Sequence, residues 1–266
     1  MAVRDLAFRS GIVCLLTDFS SREAFVGVMK GVVYSVFPEA RIVDLTHEIP
    51  PRCIVKGAVE LRASYRFFPE GTVFVAVVDP GVGSGRRAIA ACSGGRLFVA
   101  PDNGILSPVL LENGDSEVRV LENPSFFMPK ISATFHGRDV FAPAGAKLAA
   151  GALLEEVGRP ADGFVRLDLP EPERSGGAVT GRFLYADAFG NLITNVPADM
   201  LRGLEGGRIS FGGFSVRGLS SCYMEGAGKE FCAVVNGEGF LEIASFGASA
   251  ADRLGRFENM TVTIEG

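Results

Sequence analysis

The chain has 266 residues, with 26 Lys and Arg against 31 Asp and Glu and a net charge of −5. That length fills one large domain or two ordinary ones, and the lack of any block of Lys or Arg argues against nucleic acid as a partner. Two histidines and five cysteines, none spaced C-x-x-C, argue for buried free thiols and against a zinc or other transition-metal centre. No apolar run reaches the roughly 20 residues of a bilayer span, and Met1 to Ser10 carry no signal-peptide core, so the expected setting is the cytoplasm.

Gly11 to Leu16 (GIVCLL) reads as a first buried strand, delivering Thr17-Asp18-Phe19-Ser20-Ser21 at its end. Apolar residues at Phe25, Val26, Met29, Val32, Val33 and Val36 have helical spacing, and Pro38 stops that helix. Arg41 to Leu45 is a second strand, leading to Thr46-His47-Glu48, and Ile54 to Tyr65 reads as a helix. The centre of the chain is Thr72 to Val78 (TVFVAVV), an unbroken β-branched run of the kind buried on both faces of a parallel sheet. It ends on Asp79, after which Pro80 halts ladder pairing and Gly81, Gly83 and Gly85 lead to Arg86 and Arg87. Ala88 to Cys92 and Leu97 to Ala100 are further strands, split by a Ser-Gly-Gly turn. The second delivers Pro101-Asp102-Asn103-Gly104. Ile105 to Leu111 reads as a short helix. Thr134 to Asp139 (TFHGRD) precedes a helix over Val140 to Ala150, with Pro143 in its first turn.

Composition changes at Leu169 to Gly177 (LPEPERSGG), which reads as a linker. Beyond it lie glycine-punctuated strands: Ala178 to Ala186, Arg208 to Val216, Phe231 to Asn236, Phe240 to Ala244 and Met260 to Ile264. The expected architecture is an α/β N-terminal domain with a mostly parallel central sheet over residues 1–170, and a small all-β barrel over residues 177–266.

Each polar motif admits two readings. Asp79 at a buried strand end either caps a turn, with Arg86 and Arg87 solvated, or faces a ligand where open α/β sheets bind them. Asp18 is either a helix cap or a ribose-binding carboxylate. His136 is structural or chemical, and His47, near two prolines, is structural or supporting. Asp187-Ala188-Phe189-Gly190-Asn191 is a simple β-turn or a purine- or amino-acid-binding loop. What weighs toward chemistry is convergence: three polar turns follow three apolar strands, and a parallel sheet brings all three to one edge.

The ordered set TDFSSREAFVGVMKG, VDLTHEIPP, FFPEGTVFVAVVDPGVGSGRR, FVAPDNGILS, TFHGRDVFAPAGAKLAAG, DAFGNLITNV and FLEIASFGASAADRLG resembles the S-adenosyl-L-methionine (SAM) hydroxide adenosyltransferases, or SAM hydrolases, relatives of the fluorinase and chlorinase. The resemblance runs from about Gly11 to the C-terminus. It implies a homotrimer whose site lies between one subunit's N-domain and its neighbour's C-domain. It implies a catalytic triad of Asp79, Arg86 and His136, ribose binding by Asp18, methionine-ammonium binding by Asp187, adenine contact by Asn191 and stacking by Tyr223. Phe135 and Gly137 would line the reacting carbon, and Asn103, Asn236 and Gly247 would also contact substrate. Two positions depart from the family pattern: Glu23 stands for a shorter Asp, and Gly237 for a serine.

The implied reaction is attack of water on the ribose 5′ carbon, releasing L-methionine and adenosine with no cofactor and no metal. A sulfonium needs no acid to leave. The difficulty is the nucleophile, since bulk water has a pKa of about 15.7. Asp79 or His136 would accept its proton while Arg86 stabilises the developing charge. The alternatives are a halogenase using chloride, against which His136 and Gly137 speak, and a SAM- or adenosine-binding protein with little turnover.

Overall fold

Along β1 (Ile12–Thr17) the side chains part company: Val13 and Leu15 enter one core, Cys14 and Leu16 another. The same alternation repeats on β3 (Val73–Val77), where Val73, Val75 and Val77 join the first core and Phe74 and Ala76 the second. Successive residues of a strand point to opposite faces, so a continuous apolar run is what a sheet covered on both sides requires. In this computed structural model, which describes residues 10–258 and 260–266, the chain divides into two compact units between Leu167 and Asp168. The stretch read for a signal-peptide core lies, apart from Ser10, outside the described residues. Among the described residues no helix is long and apolar enough to cross a membrane.

In the first unit the helices α1 (Phe25–Val36) and α4 (Ala142–Ala150) supply Met29, Val33, Ala146 and Leu148 to the first core. Helix α2 (Ile54–Ser64) and the segment entering α3 (Ser107–Glu112) supply Ala58, Leu61, Leu106 and Val109 to the second. With β2 (Arg41–Thr46), β4 (Ala88–Ser93), β5 (Arg96–Pro101) and β6 (Glu117–Val120), the sheet order is β2-β1-β3-β5-β4-β6. Strands β2, β1, β3 and β5 are parallel, while β4 runs antiparallel to both β5 and β6. The sheet is therefore mixed, with a parallel half. The chain leaves β1 for β2 on one side and returns to β3 on the other, so the carboxyl ends of β1 and β3 form a topological switch point, where open α/β sheets take ligands.

The expected helix over Val140 to Ala150 begins differently. Residues Gly137–Phe141 form a π-helical turn, and α4 starts at Ala142. Pro143 has no N–H to give Asp139, whose carbonyl instead accepts the N–H of Met128 at 2.8 Å. Strand β6 was not expected; its Glu-Val-Arg-Val is too short to announce itself and is held by the β4 edge.

The second unit is an antiparallel sheet ordered β11-β10-β14-β8-β9-β13-β12, built from β8 (Ala178–Ala186), β9 (Leu192–Pro197), β10 (Arg208–Phe211), β11 (Phe214–Arg217), β12 (Cys232–Val235), β13 (Phe240–Ala244) and β14 (Thr261–Glu265). It curls until its two ends meet: Phe214 of β11 lies 5.0 Å, ring to ring, from Phe231 beside β12, and Ser220 N–H donates to Ala233 O of β12 at 2.7 Å. The sheet is thus barrel-like around one core that includes Val179, Leu192, Ile209, Leu241 and Ile264. Part of the expected linker is paired: β7 (Glu173–Ser175) hydrogen-bonds to β8 across Gly176-Gly177, both at positive φ, which gives a tight hairpin. The single strand expected over Arg208 to Val216 is likewise a hairpin, folded at Gly212-Gly213, again both at positive φ. Strand β9 was missed because Thr194 and Asn195 break its apolar run. The Thr194 hydroxyl is satisfied internally by Leu241 O.

Candidate active site

Asp79 leaves the end of β3 with its side chain only 5% exposed. The loop that follows turns back on it. Ser84 Oγ donates to Gly81 O at 2.7 Å, and Arg86 Nε then reaches both carboxylate oxygens of Asp79 at 3.0 Å, with Nη2 also on Oδ2. The guanidinium lies 5.2 Å over the ring of Phe141. Its Nη2 also donates to Nδ1 of His136 at 2.8 Å. Arginine is always a donor, so Nδ1 must be the accepting nitrogen and the ring proton sits on Nε2. Burial and the adjacent Arg86 cation hold the His136 pKa below its usual value, against the pull of Asp79 and Asp139. Asp79, Arg86 and His136 therefore form one hydrogen-bonded row, in that order.

Two contacts hold the loop that carries His136. Buried Asp139 accepts the Ser132 N–H at 2.7 Å and the Arg138 guanidinium at 2.6 Å. Burial alone would raise the Asp139 pKa, but these donors bring it below the ordinary carboxylate value. Ala133 O lies so close to Gly83 that a Cβ there would stand 2.4 Å away, and Gly83 has φ +77°. The glycine is what lets the Asp79 loop close against the His136 loop. Phe135 packs edge-on against Phe25 (5.2 Å) and Phe19 (5.9 Å), and a Cβ on buried Gly137 would meet Phe19, Met29 and Phe135 at 3.1 to 3.3 Å.

The other two turns reach the same edge. Asp18, just past β1, accepts the N–H of Arg52 at 2.8 Å with one oxygen. Asn103, past β5, donates to Val78 O at 2.8 Å and accepts the Ile105 N–H, tying its turn to the end of β3. Glu23 is exposed on the turn before α1. His47 is buried, bonded to Thr17 Oγ1 at 2.8 Å and Asp44 Oδ1 at 3.0 Å, which makes it a support for the β1 end.

In the second unit, Asp187, Phe189, Asn191, Tyr223 and the stretch Ser245 to Ser249 line a cavity of about 670 Å³. Asp187 Oδ1 accepts the N–H groups of Phe189 and Asn191, and Oδ2 the Asn191 amide, so the motif is a closed turn that edges the cavity. Gly247, at φ +70°, belongs to the cavity wall. Asn236 Oδ1 accepts Glu238 and Phe240 N–H in the turn before β13. Among the described residues the lining holds one carboxylate and no Lys, Arg or His, a sign that suits a cationic ligand. One residue escaped the sequence reading. Glu242, 2% exposed, receives the Tyr223 hydroxyl at 2.8 Å. Its signal was there, a lone charge inside the apolar strand Phe-Leu-Glu-Ile-Ala.

Fold and cluster together define an α/β protein of the open-sheet class, with a hydrogen-bonded row at its switch point and a separate β unit whose cavity is edged by the Asp187 carboxylate. Residues 13–158 match the SAM hydroxide adenosyltransferase N-terminal domain, and residues 181–263 the SAM hydroxide adenosyltransferase C-terminal domain. The chain belongs to the SAM hydroxide adenosyltransferase family. It is 38% identical over 264 residues to the (R)-S-adenosyl-L-methionine hydrolase of Thermus thermophilus, covering 95% of this chain and 98% of that one. It is 41% identical over 197 residues to the hydrolase of the same name from Salinispora arenicola, covering 72% and 74%. A fluorinase of Actinoplanes sp. is 33% identical over 212 residues, covering 70% and 71%. The crystal structure of an uncharacterized conserved protein from Thermotoga maritima matches with a TM-score of 0.89 at 35% identity, covering 96% of this chain and 100% of that chain.

Proposed function

We propose that the protein hydrolyses SAM to adenosine and L-methionine by in-line attack of water on the ribose 5′ carbon. The new C5′–O bond forms as the C5′–S bond breaks. The sulfur leaves as a neutral thioether, and one proton is released from the water. The observation that carries this reading is the hydrogen-bonded row Asp79–Arg86–His136 at the switch point, in a family whose members include named SAM hydrolases.

The row also suggests who takes the proton. His136 Nδ1 is engaged by Arg86 and Nε2 bears a hydrogen, so the neutral ring donates and has no lone pair to spare. Asp79 Oδ2 takes both Nε and Nη2 of Arg86, whereas Oδ1 takes Nε alone and keeps a further lone pair. In this reading Asp79 accepts the water's proton, while Arg86 and His136 N–H stabilise the hydroxide charge as it forms.

The remaining roles follow the family pattern. Asp18 takes the ribose hydroxyls, Asp187 the methionine ammonium, Asn191 the adenine edge and Tyr223 its face. Phe135 and Gly137 wall the reacting carbon, with Glu23, Asn103, Asn236 and Gly247 as further contacts. The cationic sulfonium and ammonium suit the anionic cavity lining. The working form is a cytoplasmic homotrimer, its first domain spanning residues 1–170 and its second 177–266, with each site completed by a neighbouring subunit and no cofactor needed.

The test is incubation of the pure protein with SAM in isotopically labelled water, with and without chloride. Label in the adenosine 5′ hydroxyl supports hydrolysis. A chloro-nucleoside would assign a halogenase instead, and bound SAM without methionine release a binding protein.

A further inference from the structure

Strand β13 is apolar except at one place. Leu241 and Ile243 point into the barrel-like core, while Glu242, on the opposite face, pairs in register with Val234 and Ile193. That face carries the short 3₁₀ turn Tyr223–Gly226. The turn is held at both ends. At one end Gly226 sits against β12 so tightly that a Cβ would meet Cys232 Sγ at 2.7 Å. At the other, the Tyr223 hydroxyl donates to Glu242 Oε1 at 2.8 Å.

Glu242 has a second donor in the side chain of Asn236. Asn236 Oδ1 is already committed to two main-chain N–H groups, so its amide N–H₂ is what faces the carboxylate. The titratable groups around Glu242 are Tyr223 from the 3₁₀ turn, Asp187 from the turn after β8 and Cys232 from β12, with no cation among them. A carboxylate this deep is costly to bury unless its lone pairs are filled, and both donors come from residues assigned above to substrate.

We propose that Glu242 is a positioning residue of the substrate cavity: its carboxylate anchors the Tyr223 ring at the cavity wall and orients Asn236, without itself touching substrate. The role assigned to the ring rests on the proposed SAM reading, but the anchoring does not. Tyr223 is 44% exposed, and hydroxyl bonding to a buried partner is what keeps so open a ring in one orientation. Ring faces recognise flat heterocycles only when held in place.

The test has two parts. In the ligand-free protein, hydrogen exchange of the peptide spanning residues 222–227 is compared among wild type, Glu242→Gln and Tyr223→Phe. A glutamine has a single oxygen for the two donors, and when that oxygen accepts from Asn236 its N–H₂ faces the Tyr223 hydroxyl, so exchange is expected to quicken about tenfold in both variants. Unchanged exchange overturns the anchoring whatever the protein's substrate. With SAM, Glu242→Gln is expected to raise KM about tenfold with kcat within about twofold. The double variant is expected to be no worse than the worse single one, since both break one contact. A wild-type KM, or strictly additive losses, overturns the substrate role. A wild type that leaves SAM intact sinks the functional reading alone, because the exchange measurement still decides the anchoring.

Discussion

Arg86 holds Asp79 through its Nε edge and His136 through Nη2, at 3.0 and 2.8 Å, so one guanidinium orders a carboxylate and an imidazole that stand on different loops. A planar fork of five donors can do this; a lysine ammonium, a single point of charge, cannot hold two partners in one plane. Four expected outcomes follow from this row and the loops that carry it.

Arg86→Lys is expected to lower kcat by about 10²-fold or more while the protein stays folded, read by methionine release and by thermal melting. Asp79→Ala and His136→Ala are expected to lose turnover on the same scale, typical of removing an acid–base group. Asp79→Ala carries an extra stability cost of about 3 kcal/mol, because it strands a guanidinium whose side chain is only 11% exposed. Near-wild-type turnover in both alanine variants would remove the triad assignment.

The acid limb of kcat/KM should have its midpoint below about 6.5, the ordinary histidine value. His136 must stay neutral to accept from Arg86, and its folded pKa is lowered, by burial first and Arg86 second. Between the lowered folded value and the ordinary unfolded one, the unfolded chain binds more protons. The stability contributed by neutral His136 is therefore complete above the unfolded pKa and is lost as pH falls through the folded one. A midpoint above 6.5 that disappears in His136→Gln would reverse the assigned protonation.

Gly83→Ala and Gly85→Ala are expected to differ sharply although they are two residues apart. A Cβ at 83 would collide with the Ala133 carbonyl and require positive φ, whereas among the described residues nothing lies within 4 Å of one at 85. The first should lower the melting temperature and cut activity at least tenfold, by prising Arg86 from His136. The second should resemble wild type in a thermal melt and a SAM assay. Equal behaviour would show that the two loops do not depend on this contact.

Gly137→Ala pushes a methyl group among Phe19, Met29 and Phe135. The expected cost is about 1 to 3 kcal/mol, the usual range for overpacking, with a raised KM for SAM because Phe135 must shift. Denaturant unfolding and steady-state kinetics measure the two effects separately. An unchanged KM would remove Phe135 from the substrate wall.

The edge at which the polar turns gather was legible in the sequence. Asp18, Asp79 and Asn103 each follow an apolar run, and the parallel arrangement of β1, β3 and β5 brings strand ends to one edge by necessity. Other features were hidden for identifiable reasons. The π-turn at Gly137–Phe141 depends on where the carbonyl of Asp139 finds a donor, and that donor, Met128, comes from outside the helix. Strands β6 and β9 are too short or too polar to stand out, and exist because neighbouring edges pair with them.

Local pattern alone marked most of the sheet-forming runs and the polar turns at their ends, because periodicity, proline and glycine act over a few neighbouring positions. Only the tertiary structure decided that Arg86 stands between Asp79 and His136, that His136 is an acceptor at Nδ1, and that Glu242 lies under Tyr223. Those are contacts across loops and strands far apart in the chain. Their geometry is set by how whole elements pack, and no short stretch of sequence contains it.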